Sequence, residues 1–139
     1  MLTKSEQHEV AKAIEAAELQ TSGEIRVHLE AKCASDPTAR AIALFSKLKM
    51  QKTAARNGVL IYIAYQDKKF AIIGDQGIHE KVTDQFWNST RDAMLQAFQQ
   101  KGVLAGILAA VHESGQQLKT HFPHQRNDQN ELSNEISIG

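Results

Sequence analysis

Arg56-Asn57-Gly58-Val59-Leu60-Ile61-Tyr62-Ile63-Ala64, followed after the polar turn Gln66-Asp67-Lys68-Lys69 by Phe70-Ala71-Ile72-Ile73-Gly74-Asp75-Gln76-Gly77-Ile78, decides the fold. Val59 to Ala64 is almost continuously apolar, the composition of a strand covered on both faces. The polar turn is short enough to bring Phe70 to Ile73 back antiparallel beside that strand. Where two strands run antiparallel, the start of one lies opposite the finish of the other, so Asn57 and Asp75 share one end of the pair and Asp67 occupies the other.

Upstream, Glu24-Ile25-Arg26-Val27-His28-Leu29-Glu30 alternates strictly, with Ile25, Val27 and Leu29 on one face and Glu24, Arg26, His28 and Glu30 on the other. That pattern predicts a half-exposed strand near a sheet edge. Between the two strands Asp36-Pro37 is a helix start, because Asp accepts orphan amides and Pro at the first helical position gives up no hydrogen bond. Ala41, Leu44, Phe45 and Leu48 are the stripe of a helix expected to reach about residue 52. A helical crossover makes the strands on either side of it parallel and the connection right-handed.

The rest of the chain reads as helix. Thr3 with Glu6 forms a capping box ahead of Val10, Ala13, Ile14 and Ala17, giving a first helix over about residues 4 to 20 that ends at a left-handed cap on Gly23. After a short helical turn near His79 to Val82, a helix from Thr83 or Asp84 to Gln100 packs through Phe86, Trp87, Met94, Leu95 and Phe98. Gly102 ends it and opens another helix, to about Thr120, with Val103, Ile107, Leu108, Val111 and Leu118 on its face. Phe122-Pro123 stops that helix and His124 to Asn130 is a polar linker. The expected fold is α/β: a three-layer α/β/α sandwich with a small mixed sheet of three to five strands and helices on both faces. Residues 1–123 form one domain, and residues 124–139 form a tail that either adds a short edge strand or stays disordered.

A chain of 139 residues and 15.4 kDa has room for one core and no second domain. Its 16 basic and 16 acidic side chains leave no net field to hold a polyanion, which argues against nucleic acid as a partner. The longest apolar run, Val103 to Val111, is too short to insert in a membrane, and the first residues contain no signal-peptide core. With Cys33 alone, no internal disulfide forms. These features together predict a soluble, cytoplasmic protein.

Several chemistries drop out on spacing. Cys33 and Arg40 are separated by six residues, one more than the phosphate-cradling cysteine loop of tyrosine phosphatases allows. None of the His-Glu pairs at His8, His79 and His112 carries the second histidine of a zinc-protease helix, and neither glycine-rich phosphate loop is present. His121 and His124 read as surface histidines, Trp87 as a packing group, and the Lys47, Lys49, Lys52 and Arg56 patch as a solvated face.

The loops at one end of the sheet remain. Gly74-Asp75-Gln76-Gly77 sets a carboxylate between glycines at a strand exit, a compact turn suited to a hard, oxygen-seeking cation. Parallel pairing brings Glu24 to the same end as Asn57 and Asp75, with Arg26 one strand step further on the same side. Glu24, Asn57 and Asp75 are the candidate ligands of a divalent cation, calcium or magnesium, and Arg26 and Arg56 the candidate anion-binding groups. The same five residues also suit a structural polar network that satisfies loop amides. No residue presents itself as a positioned nucleophile or general base.

An ordered set of segments carries a family resemblance: Thr21-Ser22-Gly23-Glu24-Ile25-Arg26, Thr53 followed by Arg56 to Ala64, Phe70 to Ile78, Phe86-Trp87, Phe122-Pro123 and Asn130-Glu131-Leu132. Together they resemble the TPM domain family over nearly the whole chain, in a short form without the signal peptide and transmembrane tail of many relatives. The resemblance implies an α/β/α sandwich. Its relatives include thylakoid proteins described as acid phosphatases, membrane-associated receptor modulators and bacterial proteins without an assigned role, and some members are reported to bind divalent cations such as calcium. By position it implies a cation site on Asn57 and Asp75, with Glu24 and Arg26 beside it. The chain departs from many membrane-bound members at Arg56-Asn57, where they carry a pair of small amide or acidic residues; Arg56 removes an oxygen ligand and offers an anion contact instead.

Two functions follow as expectations. One is a cation-binding accessory or protein-interaction module; the other is a metal-assisted phosphomonoesterase in which Asp75 holds the cation and Arg26 or Arg56 offsets phosphate charge. Whether the chain is an enzyme, and its oligomeric state, are not legible in the residues.

Overall fold

The computed structural model describes residues 2–53, 55–81, 84–124 and 134–139. The linker and tail residues 125–133 and the side chain of Phe86 lie outside the described residues. Strands β1 (Glu24–Glu30), β2 (Gly58–Ala64), β3 (Lys69–Gly74) and β4 (Ser137–Ile138) form one sheet in the order β3-β2-β1-β4. β1 and β2 are parallel, with Glu24 opposite Gly58 and Glu30 opposite Ala64, and β3 returns antiparallel to β2 with Val59 opposite Gly74. The crossover between β1 and β2 is helix α2 (Pro37–Lys47), capped by Asp36, whose side chain accepts from the Ala39 amide at 3.0 Å.

Helices cover both faces of this mixed sheet, as the apolar run of β2 requires. One face of the strands, through Ile25, Val27, Leu29, Val59, Ile61 and Ile63, packs against α1 (Lys4–Glu18), α4 (Asp84–Lys101) and α5 (Val103–His121). The other, through Leu60, Tyr62, Ala64 and Ala71, packs against Ala41, Leu44 and Phe45 of α2. The Thr3/Glu6 capping box opens α1, and Gly102, at φ 96°, separates α4 from α5. Among the described glycines only Gly102 has positive φ, so Gly23 does not form the expected left-handed cap; it is confined instead by Leu118, 2.9 Å from where a Cβ would lie.

Three readings need correction. β1 is not half-exposed: it is buried at every position except Arg26, although it does lie near the edge of the sheet, with only the two-residue β4 outside it. Its polar face escapes solvent because partners on α2, β2 and the C-terminal strand satisfy it, and β4 takes the outer position by pairing parallel to His28 and Leu29. α2 ends at Lys47 because Lys49 turns left-handed (φ 58°) and starts a separate 3-10 turn at Met50–Lys52. The turn after β3, α3 (Gln76–His79), begins earlier than expected because Asp75 caps it directly.

Candidate functional site

At the N-terminal ends of β1 and β2, the loop before β2 and the loop after β3 are tied together through their backbones. The Asp75 amide donates to Gly58 O at 3.0 Å, the Gly77 amide to Arg56 O at 2.8 Å and the Glu24 amide to Asn57 O at 3.3 Å. Gly77 is required there, since a Cβ would stand 2.2 Å from Ala55 O. Thr53 holds the preceding turn, accepting from the Asn57 amide through its hydroxyl at 3.3 Å and from the Arg56 amide through its carbonyl at 3.2 Å. Arg56 itself adopts a left-handed backbone, φ 51°, uncommon without glycine or asparagine.

That conformation aims the Arg56 guanidinium at Asp75. Nε donates to Oδ2 at 2.7 Å and Nη2 to Oδ1 at 2.8 Å, a bidentate pair, and Oδ1 also accepts from the Gln76 amide at 2.7 Å. The Asp75 side chain is buried while that of Arg56 is 45% exposed, so the cation of the pair is the half free to move into water. Asn57 is buried beside them and its Nδ2 reaches Ser22 Oγ at 3.5 Å. Glu24 is buried too, and its charge contributes to raising the pKa of Glu18. Burial is the larger cause of that rise, which takes Glu18 to about 8 while its Oε2 accepts from the Ile25 amide at 2.9 Å.

Arg26 projects from the same sheet face as Glu24, and its Nε meets no hydrogen-bond acceptor among the described residues. The structure thus joins Arg56 directly to Asp75, ties Asn57 and Glu24 to the same loops through the backbone, and leaves Arg26 outside these contacts. Among the described residues no three His, Cys, Asp or Glu side chains converge as a ligand set. A cation here would take Asp75 with amide or backbone oxygens, and only once Arg56 had turned away. A groove of about 480 Å³ opens beside the pair, lined by Ile42, Phe45, Ser46, Gln51, Ile73 and His79.

A second polar network, at the opposite end of the sheet, is absent from the sequence reading. Glu30 accepts from Arg40 Nε at 3.0 Å and Nη2 at 2.9 Å, from the Tyr62 hydroxyl, and from His28 Nε2 at 3.2 Å; His28 Nδ1 then meets Ser137 Oγ at 3.0 Å. Arg40 chiefly holds the Glu30 pKa down, to about 2, whereas burial lowers that of His28 and raises that of Tyr62. At neutral pH the network is therefore an ionised carboxylate, a neutral imidazole and a protonated phenol, with every partner committed. Such a cluster fixes positions and is poorly poised for proton transfer. One signal for it existed: Tyr62 is the single polar-tipped side chain in an apolar strand and falls opposite His28 in register. Cys33 lies near this end, its Sγ donating to Ser35 O at 3.2 Å.

The family model described as TPM domain matches residues 1–117. The chain belongs to the TPM domain family. A structure from the same fold, the NMR structure of BA42 protein from the psychrophilic bacterium Bizionia argentinensis, is 44% identical, with a TM-score of 0.94 over 100% of this chain and 96% of that one. The solution structure of the N-terminal domain of the cg2496 protein from Corynebacterium glutamicum is 17% identical, with a TM-score of 0.68 over 85% of this chain and 74% of that one, a likeness of fold alone. Among curated proteins, none matches. Among the described residues of this TPM domain, no helix is long and apolar enough to cross a membrane.

Proposed function

We propose that this TPM domain is an accessory module that docks another protein and whose loop rim responds to calcium or magnesium. The observation that carries the reading is the Arg56–Asp75 pair: a buried carboxylate between interlocked loops, covered by a guanidinium that is itself half in solvent. Asp75, the Asn57 amide oxygen and Glu24 are the oxygens a cation would draw on, and its arrival would release Arg56 toward the groove. A site so poor in carboxylates belongs in the range of about 10⁻⁴ to 10⁻³ M. Titration with calcium or magnesium, followed by amide shifts, is expected to move Arg56 to Gly58 and Gly74 to Gly77, and to move nothing in Asp75→Asn. Silence of both segments at millimolar cation rejects the cation half of the proposal.

One observation favours a second reading, the phosphomonoesterase: Arg56, Asp75 and His79 line one groove. Asp75 would hold a cation that supplies charge to polarise a phosphate oxygen, with Arg56, or Arg26, taking the remaining anionic charge. Hydrolysis of a chromogenic phosphate ester that persists unchanged in Asp75→Ala rules it out.

A further inference from the structure

Three concavities follow one another along the free side of β3. One, about 480 Å³, lies between α2 and the Ile73–Asp75 end of the strand; the next, about 220 Å³, runs along Phe70 to Ile73 with Thr38 on one wall and Trp87 and Arg91 on the other; the last, about 450 Å³, finishes at Lys68, Leu95 and Phe98. Ile73 lines the first two and Phe70 the last two, so each adjoins the next, and together they cross the strand's edge from the α2 face to the α4 face as a stepped groove. β3 is the outermost strand of the sheet. Because the Asp75 amide points inward to Gly58 O, the alternation of an antiparallel ladder turns the backbone groups of Phe70 and Ile72 outward, into the groove, while Gly74, next in the alternation, is buried with Trp87 packed on it. At the opposite edge the chain's own Ser137–Ile138 covers β1 beside His28 and Leu29.

The groove's charges are one-sided. Lys68 stands at one end and Arg91 midway, while at the other end Arg56 and Asp75 offset each other. We infer that this groove receives an extended strand from a partner protein, apolar at alternate positions and acidic where it passes Lys68 and Arg91, added to the sheet beside β3. Main-chain hydrogen bonds to Phe70 and Ile72 supply the register, the apolar floor takes alternate side chains, and the basic residues select for acidic ones. The inference goes beyond the cation reading and does not need it, because Phe70 and Ile72 turn their edge groups outward with the Arg56–Asp75 pair closed.

The test uses the whole chain in the presence of a chelator, so that failure of the cation site leaves it untouched. The probe is a synthetic peptide of alternating valine and threonine with aspartates at both ends. Saturating peptide is expected to slow amide exchange at Phe70 and Ile72 by about tenfold. Arg91→Glu, on an exposed helix position, is expected to keep its melting temperature and weaken binding about three- to fivefold. Equal binding of a lysine-ended peptide, full affinity in Arg91→Glu, or protection elsewhere overturns the inference. So does self-association through the same amides without peptide, which would make a second copy the occupant.

Discussion

At Glu30, four hydrogen bonds from Arg40, Tyr62 and His28 meet one carboxylate. Its folded pKa of about 2 lies below the ordinary 4.5, so its contribution is complete above pH 4.5 and lost as pH falls toward 2. The difference is worth on the order of 3 kcal/mol. Glu30→Gln should therefore unfold at lower denaturant at pH 7 and show a flatter loss between pH 4.5 and 2, read by urea titration at stepped pH. Glu18 has the opposite sign. Burial raises its pKa from 4.5 to about 8, so its contribution is complete below 4.5 and fades as pH rises through 8. Glu18→Gln keeps an acceptor for the Ile25 amide and is expected to be the more stable protein at pH 8.5, with little difference at pH 4.5. At Asp75, replacement by Ala removes the cap of α3 and should cost about 1 kcal/mol. A midpoint unchanged from the parent in chemical denaturation would show that the cap is not supporting the rim.

Among the elements, the β2–β3 hairpin was legible because its signals agree: an unbroken apolar run, a short polar turn and a second apolar run. From that hairpin the shared end of Asn57 and Asp75 followed without coordinates, and the tie of Glu24 to the same end followed from the crossover. β1 was misread because alternation reports only that two faces differ in polarity. A face satisfied by Arg40, Tyr62 and Ser137 has the same sequence pattern as one wetted by solvent, and those partners come from an intervening helix, another strand and the distant tail. The bidentate grip of Arg56 on Asp75 was equally hidden, since it depends on a left-handed φ that an arginine does not advertise. The interlock of the two loops makes its own prediction. Gly77→Ala drives a methyl against two backbone carbonyls and should destabilise by about 1–3 kcal/mol, with amide shifts spreading to Arg56 and Asn57. Native-like stability would mean the loops part more easily than the packing indicates.

For the whole molecule, the two titrating carboxyls act on opposite limbs of the stability curve, and His28 joins the acid limb. Burial lowers its folded pKa below 6.5, so the unfolded chain binds the extra proton and stability declines as pH falls through 6.5. The C-terminal strand is held by the contact of His28 Nδ1 with Ser137 Oγ and by the Gly139 amide, which donates to Leu29 O at 2.8 Å. Removing residues 134–139 eliminates both bonds and uncovers the outer side of β1; it should cost about 1–3 kcal/mol by denaturant unfolding.

β4 is only two residues long, and this bears on growth as well as stability. A visiting strand laid on β3 finds no comparable template across the molecule, because the far flank presents too short a ladder to recruit another. Growth through the far flank is therefore disfavoured, and two copies of this chain have no matched pair of long edges through which to continue into a fibre.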